Sequence, residues 1–195
     1  MNKKAVFLFL LIILPIAIFL FLKSFGRNEF TIPVYYEQGL GDSLSTPCLN
    51  KAKTQYFVSN NLLPDNKVKV VHFERMDGPL LKLRMEELER VQDVFYNDEE
   101  IALMTFVNSA SLPLEAINDY QSRIRVMDAF WNRSALDSTN WAKLKFCDMA
   151  MTRIDNRVVL VDKQNKIRGY YNITEREETD RLILELRILK TEIEE

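Results

Sequence analysis

Residues 157–171, with the sequence RVVLVDKQNKIRGYY, decide the fold of this chain. An apolar, β-branched run over 157–162 is followed by four polar residues, 163–166, and by a second run over 167–171. Two short runs of this composition on either side of a polar turn are typical of a β-hairpin. We therefore predict two strands here, with Asp162 as a turn residue.

Upstream of the hairpin, apolar strand patterns alternate with an amphipathic helix pattern. Strands are predicted over 67–73 and 101–107, because both are short, apolar and bounded by polar residues. Between them, apolar residues recur at helical spacing from Leu80 to Phe95. A short additional strand is predicted around residues 55–58.

Three further elements complete the predicted order. Pro113 begins a predicted helix over 114–127, and residues 130–151 are predicted to form a loop with a short helix. The sequence Thr174-Glu175-Arg176-Glu177 matches a capping box and opens a helix that runs to the C-terminus. The order strand, helix, strand, helix, insertion, strand, strand, helix predicts an α/β thioredoxin-like fold, with a central sheet of about four to five strands flanked by helices.

The N-terminus predicts a membrane segment. Residues 5–22 carry no charge, lie between lysines, and are just long enough to span a bilayer. We predict an N-terminal transmembrane helix within residues 1–23, a tether over 24–54 and an exported domain over 55–195. The segment lacks small residues for cleavage, which favours an uncleaved anchor over a secretory signal, the other interpretation. The domain is then expected on the periplasmic or another extracytoplasmic side of the membrane.

Composition and cysteine content limit the chemistry. The net charge of −2 and the lack of a basic stripe argue against nucleic-acid binding. Cys48 and Cys147 are 99 positions apart and form no C-x-x-C pair. In an oxidising compartment they form either a disulfide or two separate buried thiols, and the sequence leaves both open.

Three stretches resemble the Sco/SenC family, the membrane-anchored thioredoxin-fold proteins linked to copper delivery and cytochrome c oxidase assembly. Residues 84–92, RMEELERVQ, look like the helix that follows the family's cysteine motif. Residues 159–171 look like the family's strand-turn-strand, often written LVD-x-x-G-x-I-R-G-Y-Y, and residues 174–189 are similar to its last helix. The resemblance spans residues 55–192 and implies a membrane-tethered factor that assembles other proteins.

The chain departs from this family at every copper ligand. Alignment on the resembling stretches places the two motif cysteines at Asp77 and Leu81, and the family's histidine at Ile154 or Asp155. Aspartate and leucine provide neither soft copper ligands nor a thiolate for disulfide exchange. We therefore expect a degenerate, non-enzymatic member without a cofactor, which binds another envelope protein or membrane complex.

Two sets of residues are candidates for function. An aromatic and basic group in the insertion is a candidate partner surface, or else a satellite core: Phe130, Trp131, Arg133 and Trp141. An alternative function is a copper carrier for oxidase assembly, with a non-standard set of soft ligands: Cys147, Met149, Met151, His72 and Met76. Against this alternative, Met is a common core residue and a single histidine in a strand usually packs. No small-molecule substrate is indicated.

Overall fold

The computed structural model describes residues 3–25, 31–40, 55–59, 61–74, 80–96, 98–108, 110, 131–151 and 157–192. The chain divides into two compact units, Met1–Thr31 and Ile32–Glu195. The first contains helix α1, Lys3–Phe25, with Pro15 inside it. Among the described residues, no helix is both long enough and apolar enough to cross a membrane.

The second unit is built on a five-stranded mixed sheet in the order β3-β2-β1-β4-β5. The strands are β1 Val68–Glu74, β2 Ile101–Asn108, β3 Trp131–Leu136, β4 Arg157–Val161 and β5 Ile167–Asn172. β1, β2 and β3 run parallel, whereas β4 is antiparallel to β1 and to β5. All seven residues of β1 are buried, as expected for a central strand covered on both faces.

Helices cover both faces of this sheet. They are α2 Leu81–Val94, α3 Ser138–Ala142, a π-helix Lys143–Asp148, and α4 Arg176–Thr191. α2 and α4 contribute Leu88, Val91, Leu182 and Leu186 to the core on one face. Trp141 and Leu144 belong to the core on the other face. The result is a three-layer α/β domain, which confirms the predicted central sheet flanked by helices.

The hairpin that decides the fold is stabilised by its own polar residues. The Asp162 carboxylate accepts hydrogen bonds from the backbone N–H groups of Gln164 and Lys166 at 3.0 and 2.8 Å. Asn165 has a φ of 65°, a left-handed conformation that asparagine tolerates well. The buried Lys69 of β1 donates to Asp162 O at 3.1 Å and to Asn165 Oδ1 at 2.6 Å, so the turn is tied to the central strand. Burial lowers the Lys69 pKa.

The structure contradicts three of the predicted local features and does not describe a fourth. β3 was not predicted, because residues 131–136 lie where a loop was expected. The capping box is wrong: α4 begins at Arg176 after Glu175, and no side chain caps it. The Thr174 hydroxyl instead donates to Asn172 Oδ1 at 2.8 Å. Residues 55–59 form no strand, and the predicted helix over 114–127 lies outside the described residues.

The predicted tether over 24–54 is wrong for residues 32–40, because these pack on the domain. Ile32 is buried in the same core cluster as β1. The Tyr35 N–H donates to Ile167 O of β5 at 2.8 Å, and the Arg168 side chain donates to Ile32 O at 2.7 Å. The domain therefore begins at Ile32 and not at residue 55.

Candidate functional site

A buried charged cluster lies at the carboxyl end of β1. Glu74, the last residue of the strand, is fully buried, and Arg84, one turn into α2, is 3% exposed. Arg84 donates to Glu74 Oε1 from Nη2 at 2.7 Å and from Nε at 3.2 Å. The ion pair joins the end of the central strand to the start of α2. In open α/β sheets, ligands bind at this end of the strands.

His72 shares a face of β1 with Glu74, because the two residues are two apart in a strand. Its side chain is fully buried, and Nε2 lies 3.6 Å from Glu74 Oε2. Neither ring nitrogen forms a hydrogen bond with any residue that the structure describes. Burial, together with the nearby charges of Arg84 and Lys145, lowers the pKa of His72 to about 3. The imidazole is therefore neutral at physiological pH.

Of the four positions that align with the family's ligands, only Leu81 lies within the described residues. Leu81 is the first residue of α2 and is half-buried, whereas Asp77, Ile154 and Asp155 lie outside the described residues. The sequence has no cysteine between Cys48 and Cys147, so β1 and α2 carry no thiol. At the start of α2, Leu80 and Leu83 are 44% and 37% exposed. The described residues at this end of the sheet therefore combine a buried ion pair with an apolar surface.

The structure does not bring the soft-ligand set together. Cys147 is disulfide-bonded and is therefore not a thiolate ligand here. Met149 and Met151 are buried in the core cluster of Val71 and Phe73, whereas His72 projects from the opposite face of β1 by strand alternation. Met76 lies outside the described residues. No group of three or more His, Cys, Asp or Glu side chains within the described part of the chain could hold a metal ion.

The partner-surface candidates lie in different environments. Trp141 is 9% exposed, donates from Nε1 to Phe106 O at 3.3 Å, and contacts the Phe73 ring edge-on at 5.9 Å. Of the two interpretations of Trp141, the structure therefore favours the core residue over the partner surface. Trp131 and Arg133 lie in β3, but their side chains, like all of Phe130, are outside the described part of the structure.

A tyrosine cluster was missed by the sequence analysis. Its hydroxyl groups donate to the four consecutive carbonyls of residues 147–150, within what we call the clamped segment, residues 147–151. The Tyr56 hydroxyl lies 2.9 Å from each of the first two carbonyl oxygens and shares its single proton between them. Tyr170 donates to the third at 2.9 Å, and Tyr36 to the fourth at 3.4 Å. Burial raises the Tyr56 pKa, so its hydroxyl remains a donor. In the sequence, two of these tyrosines stand in the pairs Tyr35-Tyr36 and Tyr170-Tyr171.

Solved structures with the same fold include Sco/SenC proteins. The chain is similar to a SCO1/SenC family lipoprotein from Bacillus anthracis, with a TM-score of 0.52 and 13% identity over 65% of this chain and 83% of that one. A candidate electron transfer protein from Aquifex aeolicus gives a TM-score of 0.50 and 17% identity, over 66% and 84% of the two chains. The copper-bound ScoI of Bradyrhizobium japonicum gives 0.44 and 12%, over 64% and 86%.

No family model and no curated protein matches the chain. At these identities the structural similarities establish the fold alone. The domain shares the fold of these structures, among them the SCO1/SenC family lipoprotein.

Proposed function

We propose that this protein is a membrane-tethered, Sco-like assembly factor that binds another envelope protein and performs no thiol or copper chemistry at the end of β1. The observation that carries the proposal is the buried Glu74–Arg84 ion pair, with the neutral His72 beside it. It occupies the end of the sheet where this fold places function. A guanidinium held by a carboxylate is neither a nucleophile nor a copper ligand.

The apolar start of α2 supports protein binding as the remaining activity. Leu80 immediately precedes α2, and Leu83 lies in the first turn of that helix. Both are substantially exposed. The ion pair between Glu74 and Arg84 attaches the first turn of α2 to the end of β1. The two leucine side chains therefore lie on a rigid support. An exposed apolar surface on a rigid support is a candidate site for protein binding.

The membrane tether rests on the N-terminal sequence. Residues 5–22 are uncharged, and helix α1 extends over Lys3–Phe25. Within residues 11–21 of α1, all the large apolar side chains are at least 44% exposed, including Leu11, Phe19 and Phe21. A helix that is apolar around its whole circumference needs a lipid or protein environment. We propose that it is an uncleaved anchor that leaves the domain on the extracytoplasmic side.

Site-specific photocrosslinking of the full chain in native membranes tests this function. A photoreactive residue at Leu83 is expected to capture a distinct envelope protein, and Leu80→Glu is expected to abolish that capture. The control is the same photoreactive residue at Leu184 of α4, which is 57% exposed. Capture of the same proteins from both positions, or capture that survives Leu80→Glu, would contradict the proposal.

The copper carrier remains the competing function, and a titration separates the two. Full-length protein in detergent is titrated with Cu(I) against a chelating indicator. We expect no stoichiometric binding, because His72 and the two core methionines lie on opposite sheet faces. If one equivalent binds and His72→Leu abolishes the binding while Met85→Leu, a half-buried control on α2, preserves it, then the carrier function is correct.

A further inference from the structure

A buried amine and a side-chain amide lie side by side where the hairpin turn meets the central strand. Lys69 of β1 is paired in register with Val161 of β4 and is fully buried. Its Nζ lies 2.6 Å from Asn165 Oδ1 and 3.1 Å from Asp162 O. A carbonyl bond is about 1.2 Å long, so Asn165 Cγ lies within about 3.8 Å of Nζ. This limit is close to the separation of about 3–3.5 Å from which reacting atoms attack each other.

Burial favours the neutral, nucleophilic form of this amine. Desolvation lowers the pKa of Lys69, although the charges of Asp162 and Asp65 act in the opposite direction. The two oxygen acceptors match the two N–H groups of a neutral amine, whereas an ammonium ion has three N–H groups. Because Lys69 is fully buried, dissolved electrophiles do not reach it. The Asn165 amide, the nearer of its two carbonyl neighbours, is therefore the group with which it can react.

The turn holds the Asn165 amide in place. Asn165 has a φ of 65°, and its backbone N–H donates to Asp162 O at 3.1 Å. The Asp162 carboxylate in turn accepts from the Lys166 N–H at 2.8 Å and from Arg168 Nη1 at 3.0 Å. The amine on the central strand and the amide on this closed turn are therefore both on rigid supports. Such orientation removes much of the entropic cost of bringing two reacting groups together.

We propose that Lys69 and Asn165 form an intramolecular isopeptide bond, a self-modification that links the hairpin turn covalently to the central strand. Lys69 Nζ attacks Asn165 Cγ, a bond between these two atoms forms, and the bond from Cγ to Nδ2 breaks. The amine loses one proton, the leaving nitrogen gains one, and that nitrogen departs as ammonia. The exposed carboxylate of Asp65, whose charge acts on Lys69, carries the proton. No oxidant, reductant or cofactor is consumed.

The bond would join residues that are 96 positions apart in the chain. It would fix the two elements that meet at the centre of the sheet, β1 and the turn between β4 and β5. This inference does not depend on the proposed partner of α2.

Mass spectrometry of the full-length protein in detergent tests the bond. After reduction of its disulfide, the intact protein is expected to be lighter than its sequence by one ammonia molecule. Tryptic digestion is expected to yield a branched peptide that joins the sequences around Lys69 and Asn165, because trypsin does not cleave after an acylated lysine.

Three variants remove one reacting group each. Lys69→Met and Asn165→Ala are expected to have the full mass of their sequences. Asn165→Asp keeps the shape of the side chain and an acceptor for Lys69, and it is also expected to have full mass, because an amine does not attack a carboxylate. Circular dichroism shows whether each variant is folded. The matched control is Lys163→Met in the same turn, which is expected to retain the loss of ammonia.

Three results would overturn the isopeptide bond. Wild-type protein with the full mass of its sequence would show that the two groups do not react. Loss of ammonia that persists in Lys69→Met would place the reaction at another residue. Loss of the branched or lighter species on treatment with hydroxylamine would show a succinimide at an asparagine, since an isopeptide bond resists this reagent.

Discussion

Removing Arg84 tests whether the charged cluster at the end of β1 is held together by a desolvated ion pair. The side chains of Arg84 and Glu74 are 4% and 0% exposed, and two charge-assisted hydrogen bonds join them. Loss of one partner from a buried pair typically lowers the free energy of unfolding by about 3–5 kcal/mol, because the other charge keeps its desolvation penalty. We expect this loss in Arg84→Met, a change that retains most of the side-chain length.

The assay is urea unfolding of the full chain in detergent, followed by circular dichroism. For a domain of this size, the loss corresponds to a decrease in melting temperature of roughly 10 °C. The double variant Glu74→Leu, Arg84→Met removes both charges and is expected to recover most of the stability. The control is Lys82→Met, because Lys82 and Glu86 form an exposed pair on the same helix, with side chains 88% and 56% exposed. We expect that control to change stability by less than about 0.5 kcal/mol.

The reasoning would be refuted by either of two results. A decrease below about 1 kcal/mol in Arg84→Met would show that the pair is solvated in solution. A double variant as unstable as the single variant would show that packing, not charge burial, determines the loss.

Three further predictions concern residues of the domain core. Gly169→Ala is expected to destabilise the domain by about 1–3 kcal/mol, since an added Cβ would overlap the buried Tyr171 ring. Arg168→Ala is expected to lower the melting temperature by several degrees, because it removes donors to three acceptors, Ile32 O, Asp162 Oδ2 and Glu192 Oε1. The third change is His72→Leu. The folded pKa of about 3 lies below the ordinary value of 6.5, so the stability contribution is complete above pH 6.5 and is lost as the pH falls towards 3. We expect wild type to lose about 1.4 kcal/mol per pH unit in this window through His72, and the variant to lack that component.

These three changes share one measurement, thermal and urea unfolding, with His72→Leu followed from pH 7 to pH 4. An exposed arginine supplies the control for Arg168, since the side chain of Arg181 is 47% exposed. A Gly169→Ala protein as stable as wild type would show that the Tyr171 ring can move aside. If the free energy of unfolding had the same pH dependence in wild type and His72→Leu, the loss of stability in acid would arise from carboxylates and not from His72.

The strands and helices with a clear pattern of apolar residues in their own sequence were predictable. β1, β2, β4 and β5 are apolar runs bounded by turn residues, and α2 has a clear helical periodicity. β3 has neither property: WNRSAL forms a strand by pairing with the free edge of β2, which is a non-local interaction. The capping box failed for a local reason, because the hydroxyl and the N–H of Thr174 both donate to Asn172 Oδ1, so that the hydroxyl does not accept from a helix N–H.

The candidate site was less predictable than the fold. The absence of cysteine within β1 and α2 follows from the sequence, and so does the departure from the family's ligand pattern. A glutamate at the end of an apolar strand and an arginine in the next helix were visible as Glu74 and Arg84, but only the packed structure shows that both are buried. Whether Cys147 bonds to another sulfur depends on a through-space distance, which a separation along the chain does not determine.

The packing of residues 32–40 on the domain determines where the protein can be truncated. A truncated protein beginning at residue 55 would lose the buried Ile32 and the backbone bond from Tyr35 to β5. β5 is an edge strand, and an uncovered edge pairs readily with other chains. Such a protein is expected to aggregate, whereas one beginning at Thr31 retains the cover on this edge. Soluble preparations for crystallisation or binding measurements should therefore keep the chain from Thr31 onward.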